Sequence, residues 1–396
     1  MDNYTEKFFS FIKEHINDDV HSLLLKKNKD ASFNYNFAIE QIESRKKLRH
    51  KLPSWNENFK LIFPSKLAYE QASSETTARY KQHLIKGSSV CDLTGGLGID
   101  SFFLSQVAEH SAYIEINEKY CKIAAHNFSE LGASSIQIIN DSCEHYINTT
   151  NLCFDTYYID PARRNIENKR LYALSDCEPD ILKIKDTILK KGQRLIIKAS
   201  PMLDIDASLQ LLENVSEIHI LSIKNECKEL LFVIDREAIE NDPLLVCVNF
   251  VTDKEKQIYS YRLSEEKESS PTIGDNLQFL YEPNASIMKA GAFKSVSLRY
   301  NANKLHTNSH LYTSALKICD FPGRVFEIIE SFDFSKKSIS LISRKYQEAN
   351  ISTRNFPLSA DGLRKKLKIK EGGNIYIFAT TLSTNKKLII CKKATF

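Results

Sequence analysis

The stretch CDLTGGLGID, residues 91–100, joins the end of a short apolar run to the start of a helical pattern through a turn with three glycines. Glycine tolerates positive φ and lets the backbone approach a ligand closely, and the free N–H groups that open a helix bind anionic groups. The G-x-G-x-x-G spacing of dinucleotide enzymes and the G-K-[ST] of phosphate-binding loops are both absent. The stretch therefore predicts a different cofactor site at a strand–turn–helix junction, formed by Asp92, Thr94, Gly95, Gly96, Gly98 and Asp100.

Short apolar runs alternate with helical patterns on both sides of this turn. This alternation predicts parallel strands joined by crossover helices in an open α/β sheet. The last two runs are joined by KNECKE, which is too short for a crossover helix and favours an antiparallel final strand. The predicted strands cover residues 89–93, 111–116, 136–139, 155–159, 194–199, 217–223 and 230–235.

Polar residues follow the second and third predicted strands. Glu115 and Asn117 come about 20 residues after the glycine turn, where an acid can accept hydrogen bonds from ribose hydroxyls. Asp141 and Ser142 follow the third strand, where they can bind an adenine amino group. Asp141 is equally typical of a helix N-cap, and Glu115 of a solvent-facing loop, so both interpretations stay open.

The fourth predicted strand ends in IDPARR, residues 159–164. Because parallel strands present functional groups at their carboxyl ends, Asp160 and Pro161 are predicted to border the bound cofactor. The Asp160 carboxylate is placed to bind or deprotonate a nucleophile, and Arg163 and Arg164 to hold phosphate groups. The alternative is a simple Asp-Pro turn with two solvated arginines.

Outside this core the pattern changes three times. Residues 1–85 are predicted to be helical, ending in a helix over about 65–83; residues 86–240 form the cofactor-binding domain. Residues 241–320 are a connecting region with a hairpin and a polar loop, SEEKESSPT, at 264–272. Residues 321–396 predict β-α-β-α-β-β, a small α+β module.

Charge is distributed unevenly along the 396 residues. Residues 301–396 hold 17 Lys and Arg against 7 Asp and Glu, while the rest of the chain is slightly acidic. This excess favours a polyanionic partner for the last module, although a solvated basic surface is the alternative. Nine scattered cysteines without a C-x-x-C pair predict no metal site and no disulfides, hence a cytoplasmic protein. The lack of a long apolar stretch predicts no membrane helix, and the early acids of the N-terminus argue against a signal peptide.

The order of glycine turn, ribose acid, adenine-binding Asp and D-P-x-x resembles class I S-adenosylmethionine-dependent methyltransferases, which have a Rossmann-like sheet. The motifs KLPSW, IDPARR, KASPMLD, YEPNASIMKAGAF and FPGRVF are similar to those of a bacterial family of THUMP-like-domain methyltransferases. This resemblance covers nearly the whole chain. It implies S-adenosylmethionine as cofactor, a ferredoxin-like insert near 278–320 and a THUMP-like C-terminal module of a type associated with RNA.

The resemblance suggests a catalytic group around Asp160. The order Lys66, Asp160, Lys198, Glu229 resembles the tetrad of ribose 2′-O-methyltransferases, with Lys198 assisting deprotonation of a hydroxyl; surface lysines and a strand-end acid are the simpler interpretation. Enzymes that methylate exocyclic amines carry an aromatic residue where this chain has Arg163, which puts that chemistry in doubt. The further residues predicted to contact substrate are Lys66, Gln71, Ser200 and Pro201.

Three functions remain open on the sequence. The first is a methyltransferase acting on transfer or ribosomal RNA, at a base or a ribose, with the basic module binding the RNA. The second is a methyltransferase that acts on protein or a small molecule. The third is a non-catalytic RNA-binding protein built on a methyltransferase fold. The atom methylated and the oligomeric state are not predicted.

Overall fold

The computed structural model describes residues 4–25, 32–63, 72–163, 174–238, 242–382 and 385–394. The chain divides into two compact units. The first comprises residues 1–216 and 231–241, and the second comprises residues 217–230 and 242–396. In the part of the chain described here, no helix is both long and apolar enough to cross a membrane.

The first unit begins with helices that pack around aromatic side chains. Phe8 and Ile12 of the first helix are fully buried beside Ile39 and Ile42 of the third. A buried arginine, Arg45, donates to four backbone carbonyls of residues 56–61 and so fixes the segment after the fourth helix. The helices are α1 Glu6–Glu14, α2 Val20–Leu25, α3 Tyr35–Leu48, α4 Pro53–Glu57 and α5 Glu75–Lys81.

Residues 65–71 of the predicted helix over 65–83 lie outside the described residues, and the rest of that span differs from the prediction. Helix α5 begins at Glu75, because Ser74 is extended and its hydroxyl accepts the Thr77 N–H as an N-cap. It ends at Lys81 and continues as a single 3₁₀ turn over residues 82–84.

A parallel sheet forms the core of the first unit, with hydrogen-bonded order β7-β4-β1-β2-β3. The order reverses direction at β1 and β4, which leaves a crevice at their carboxyl ends. Tyr157, Tyr158 and Ile196 lie in the central strands and are fully buried. The elements are β1 Ser89–Asp92, α6 Ile99–Ser105, β2 His110–Glu115, α7 Glu118–Glu130, β3 Gln137–Asn140, α8 Cys143–Thr149, β4 Thr156–Ile159, β5 Ala162–Arg163, β6 Cys177–Glu178, α9 Ile181–Lys191, β7 Arg194–Ala199 and α10 Ile205–Leu212.

Two long strands, β8 Val215–Ile223 and β9 Glu226–Asp235, follow. They are joined by Lys224 and Asn225, both at positive φ, as a two-residue hairpin turn requires. This turn explains why KNECKE reverses the chain. Within the second unit, β8 pairs in parallel with β10 Leu244–Phe250, which pairs antiparallel with β11 Lys256–Arg262.

The predicted polar loop at 264–272 is partly wrong. Residues Leu263–Glu268 form a helix, α11, because Glu265 accepts the Arg262 N–H at its start and its acids favour the N-terminal end of a helix. Glu266 then accepts three backbone N–H groups from residues 293–295 and ties α11 to the next segment. The acids of this charged segment therefore accept hydrogen bonds from backbone N–H groups, and the segment is not simply a linker.

A second sheet, of seven strands among the described residues, has order β13-β14-β12-β15-β18-β17-β16. The β-α-β-α-β-β pattern predicted from residue 321 onwards matches the elements found there, and Ile342, Leu363 and Leu367 pack the two helices against the sheet. The elements are β12 Phe279–Pro283, α12 Ala285–Ala290, α13 Ser295–Arg299, β13 Asn303–Lys304, β14 Tyr312–Ser314, β15 Gly323–Asp333, α14 Lys336–Lys345, β16 Asn350–Arg354, α15 Ala360–Leu367, β17 Ile375–Leu382 and β18 Asn385–Lys393.

Candidate active site

The glycine turn after β1 is fixed by two close approaches. A Cβ on Gly95 would lie 2.2 Å from the Tyr113 ring, and one on Gly98 would lie 2.7 Å from the Phe128 ring. Gly98 also has φ +76° and opens α6. These two glycines are therefore required by packing, independently of any ligand.

Gly96 has a different environment. Its φ is +53°, yet the nearest atom to an added Cβ is the Thr94 carbonyl oxygen at 3.8 Å. Its N–H donates to the Glu115 carboxylate at 2.8 Å, and its carbonyl accepts from the Tyr113 hydroxyl at 2.7 Å. The space around Gly96 is thus open, as a backbone that faces a ligand requires.

Glu115 ends β2 and links the glycine turn to helix α7. One carboxylate oxygen accepts the Gly96 N–H, and the other accepts the Asn117 N–H at 2.8 Å. Asn117 in turn caps α7 by accepting from Lys119. Because each carboxylate oxygen accepts more than one hydrogen bond, Glu115 keeps acceptor capacity for ribose hydroxyls.

Asp92 ends β1 and is 2% exposed. Its carboxylate accepts from the Thr94 N–H at 3.0 Å and from the Ser101 hydroxyl at 2.5 Å. Burial, with a smaller contribution from the nearby Asp100 and Asp160 charges, raises the pKa of Asp92 to about 7, since these hydrogen bonds only partly offset the loss of hydration.

This shift predicts a pH dependence of stability. Because the folded pKa of Asp92 lies above its unfolded value, the protonated group contributes stability that is full below about pH 4 and is lost as pH rises through 7. Asp92→Asn is therefore expected to gain stability relative to the unmodified chain, by about 3–4 kcal/mol, between those limits. Urea unfolding of both proteins across this range measures the difference, and a constant difference would contradict the assignment.

The ends of β2 and β3 meet at a polar edge. The Asn140 amide donates to the carbonyls of Glu115 and Ile116. Asp141 accepts the Ser142 N–H and lies 2.7 Å from the His145 ring, while Ser142 caps α8. Asp141 is therefore not the helix N-cap, which removes one of its two alternative roles.

The sequence analysis did not single out Ile116. Ile116 is 73% exposed, although it directly follows β2, and its carbonyl accepts from the Asn140 amide. An exposed apolar side chain at this edge offers a flat contact for a purine ring. In the sequence, its position directly after Glu115, the predicted ribose-binding acid, was the feature that could have pointed to it.

Asp160 and Lys198 form an ion pair across the ends of β4 and β7. The Lys198 ammonium lies 2.5 Å from one Asp160 oxygen, with side-chain exposures of 10% for the lysine and 35% for the acid. The Asp160 N–H donates to the Thr94 hydroxyl, which joins this pair to the glycine turn. The lysine thus lies beneath a carboxylate that still reaches solvent.

Asp100 has a role that the sequence analysis missed. It accepts hydrogen bonds from Ser73, from the fully buried Lys81 and from the Tyr158 hydroxyl. Burial acts to raise its pKa, but the Lys81 and Lys198 charges outweigh this and hold it below the usual value. Asp100 therefore anchors α5 to the sheet. Three donors already bind its carboxylate oxygens, and its contact with the cofactor stays a prediction.

The remaining predicted residues are placed as follows. Lys66, Gln71 and Arg164 lie outside the described residues. Pro161 leads into β5, whose two residues Ala162 and Arg163 pair with β6. Ser200 is exposed after β7 and accepts the Met202 N–H, with Pro201 next to it. Glu229 is buried on β9 and belongs to the second unit. Of the proposed tetrad, Asp160 and Lys198 lie together in the first unit.

Comparison with known proteins shows the family to which the chain belongs. A family model described as a ferredoxin-like domain matches residues 279–322, and one described as THUMP domain-like matches residues 323–393. A crystal structure from Porphyromonas gingivalis W83, described as that of a "putative methyltransferase", is 34% identical and has a TM-score of 0.90, with 98% of each chain covered. The chain belongs to this methyltransferase family.

Curated relatives name the cofactor. Two proteins from strains of Mycobacterium tuberculosis, each named an uncharacterized S-adenosylmethionine-dependent methyltransferase, are 20% identical over 80% of this chain and 83% of theirs. The protein is thus an S-adenosylmethionine-dependent methyltransferase with ferredoxin-like and THUMP-like parts, which confirms the predicted fold class, cofactor and enzyme class. Within the described residues, no group of three or more His, Cys, Asp and Glu side chains is arranged to hold a metal.

The crevice of the methyltransferase fits this cofactor. Gly96 offers an open backbone, Glu115 retains acceptor capacity, and Ile116 and Asp141 lie at the neighbouring strand ends. These groups are predicted to face the carboxylate, ribose and adenine ends of the cofactor. The assignment of individual contacts stays a prediction, for which the substitutions described below are the test.

Proposed function

We propose that this methyltransferase acts on RNA and that its THUMP-like part binds the RNA backbone. The observation that carries the proposal is the charge of that part, since residues 323–393 contain 15 Lys and Arg against 6 Asp and Glu. Three of its lysines, Lys365, Lys366 and Lys368, are exposed on or directly after α15. Such a concentration of exposed positive charge binds phosphate backbones without sequence preference.

The proposed chemistry uses the Asp160 and Lys198 pair. Lys198 holds one Asp160 oxygen, so the other oxygen remains to accept a hydrogen bond or proton from the attacking nucleophile. Asp160 then touches the substrate, and Lys198 acts by fixing the direction of the carboxylate. S-adenosylmethionine would supply the methyl group to the nucleophile, and Asp160 would take up the proton that the nucleophile loses. A ribose hydroxyl or a base nitrogen both fit this scheme.

The substrate class is tested by nucleoside mass spectrometry. Transfer and ribosomal RNA from cells with and without the gene are digested, and their methylated nucleosides are compared. Loss of one methylated nucleoside, restored by the purified enzyme and S-adenosylmethionine, is the expected result. Identical profiles in both RNA fractions would instead favour a protein or small-molecule substrate.

The basic surface has its own test. Changing Lys365, Lys366 and Lys368 to glutamate is expected to weaken RNA binding at least tenfold at low salt and to leave cofactor affinity unchanged, since these lysines are exposed in the second unit. Deleting residues 321–396 is a poorer test, because β15 pairs with β12 and the remaining sheet would lose its partner.

A matched control uses three exposed lysines of the first unit, Lys122, Lys183 and Lys190, changed in the same way. Fluorescence anisotropy with labelled transfer RNA measures both triple variants. Equal losses in the two variants would show that only net charge matters and would remove the special role of the THUMP-like part.

A further inference from the structure

One buried carboxylate in the second unit is held by two arginines. Glu282 of β12 is 3% exposed. One of its oxygens accepts from both Nε and Nη2 of Arg324, and the other accepts from Nη2 of Arg354 at 3.0 Å. The three side chains come from three strands of the second sheet, β12, β15 and β16.

The local sequence brings Arg324 to this place. Gly323 opens β15, and a Cβ on it would lie 2.1 Å from the Glu282 carbonyl oxygen, so only glycine permits the approach. The next residue, Arg324, is then the register partner of Glu282 in the β12–β15 ladder. The FPGRVF motif thus positions the first guanidinium.

The two arginines remain accessible on their outer sides. Their side chains are 41% and 38% exposed, whereas the carboxylate between them is almost completely covered. Each guanidinium has five N–H donors, of which Glu282 takes two from Arg324 and one from Arg354. The buried Nε of Arg354 has no hydrogen-bond partner among the described residues. Donors therefore remain for a second acceptor.

The charge balance of the cluster is positive. A single bidentate arginine would neutralise Glu282, and the second arginine leaves a net charge of +1. The neighbouring His310 adds no charge at neutral pH, because burial and, to a smaller extent, the Lys304 and Arg354 charges together lower its pKa to about 4. Lys304 itself is buried, bonded to the Thr307 carbonyl and attracted by Glu266. The excess charge thus belongs to the two exposed guanidiniums.

We propose that Arg324 and Arg354, oriented by Glu282, form a binding site for one phosphodiester group of the RNA. A phosphodiester carries one negative charge and two free oxygens, which match the net charge and the planar donor sets of two guanidiniums. Glu282 holds both guanidinium groups in place before the RNA binds, so the two arginine side chains lose little conformational freedom on association. This inference rests on the proposed RNA substrate for the identity of the anion, while the anion site itself stands on the cluster geometry.

The test compares conservative and neutral substitutions in the full chain. Arg354→Gln and Arg354→Lys are expected to weaken binding of labelled transfer RNA about tenfold and to lower the slope of log affinity against log salt by about 0.7–0.9 for the glutamine variant. Lysine keeps the positive charge but lacks the planar N–H donors of the guanidinium. Weaker RNA binding by Arg354→Lys would therefore show that the direction of these donors matters, beyond the charge. Arg299→Gln is the control, because Arg299 has a similar 40% exposure in the same unit and pairs with a single exposed acid, Glu265.

The outcomes separate the site from the proposed function. A purely structural ion pair would lower the unfolding temperature of the Arg354 variants but leave their salt slope equal to that of the unmodified protein, and this result would overturn the inference. If the unmodified protein binds no RNA, calorimetry with tripolyphosphate decides. Binding that is lost in Arg354→Gln would keep the anion site and reject the RNA substrate, whereas absence of tripolyphosphate binding would reject the site as well.

Discussion

Replacing Asp160 by alanine is expected to lower the single-turnover rate of methyl transfer by about 10²–10⁴-fold, the range typical of a lost proton acceptor. The Asp160 side chain is 35% exposed and Lys198 only 10%, so the carboxylate is the more accessible partner for a nucleophile. Lys198→Ala should produce a smaller loss, because the carboxylate remains but is no longer held. Cofactor affinity should change little in Lys198→Ala.

Single-turnover assays with labelled S-adenosylmethionine and RNA from cells that lack the gene measure these rates. The control is Lys185→Ala, which removes a lysine that lies between Asp186 and Glu213 on the same unit, away from the ends of β4 and β7. An unchanged rate in Lys198→Ala would remove the lysine from the mechanism. An unchanged rate in Asp160→Ala would remove the whole catalytic assignment.

The parallel core was predictable from the sequence because its signals are local. Apolar runs of strand length, a glycine turn and acids at strand ends are each read within a few residues. The predicted strand at 194–199 coincides with β7 Arg194–Ala199, and the boundaries of the other four parallel strands shift by at most one residue. The predicted strand at 230–235 is longer in the structure, where β9 begins at Glu226. The fold class and the cofactor are confirmed, whereas the individual contacts of Asp92, Glu115 and Asp160 remain predictions.

Long-range contacts explain what the sequence analysis missed. Lys81 looks like an ordinary surface lysine in sequence, but it is fully buried because Asp100, 19 residues later, accepts its charge beside Ser73. Glu282 likewise depends on an arginine 42 residues away and another 72 residues away. No local periodicity encodes such pairs, since a buried charge is stabilised only by the partner that the fold supplies.

The glycines of the turn show how one motif contains two kinds of requirement. Gly95 and Gly98 are needed by the packing of Tyr113 and Phe128, whereas the position of Gly96 is sterically open. In the sequence motif these three glycines look equivalent. The structure therefore separates residues that build the turn from the one residue at which a side chain would obstruct a ligand without disturbing its neighbours.

Gly96→Val is accordingly expected to abolish cofactor binding, with an affinity loss of at least about 100-fold, while the protein remains folded. The valine side chain would occupy the space beside the Gly96 N–H and Glu115, where the cofactor is proposed to lie. Its φ of +53° adds backbone strain of about 1–3 kcal/mol. Loss of binding could therefore come from strain as well as from obstruction, and a control must separate the two.

Gly132→Val supplies that control. Gly132 has φ +71° and nothing within 4 Å of an added Cβ, so valine there introduces comparable strain without a clash, at the end of α7 and outside the glycine turn. Calorimetry with S-adenosylhomocysteine and thermal unfolding are measured on both variants. Similar unfolding temperatures with binding lost only in Gly96→Val would place the cofactor against the turn, because strain is common to both and obstruction is not. Retained binding in Gly96→Val would show that the cofactor does not lie against Gly96.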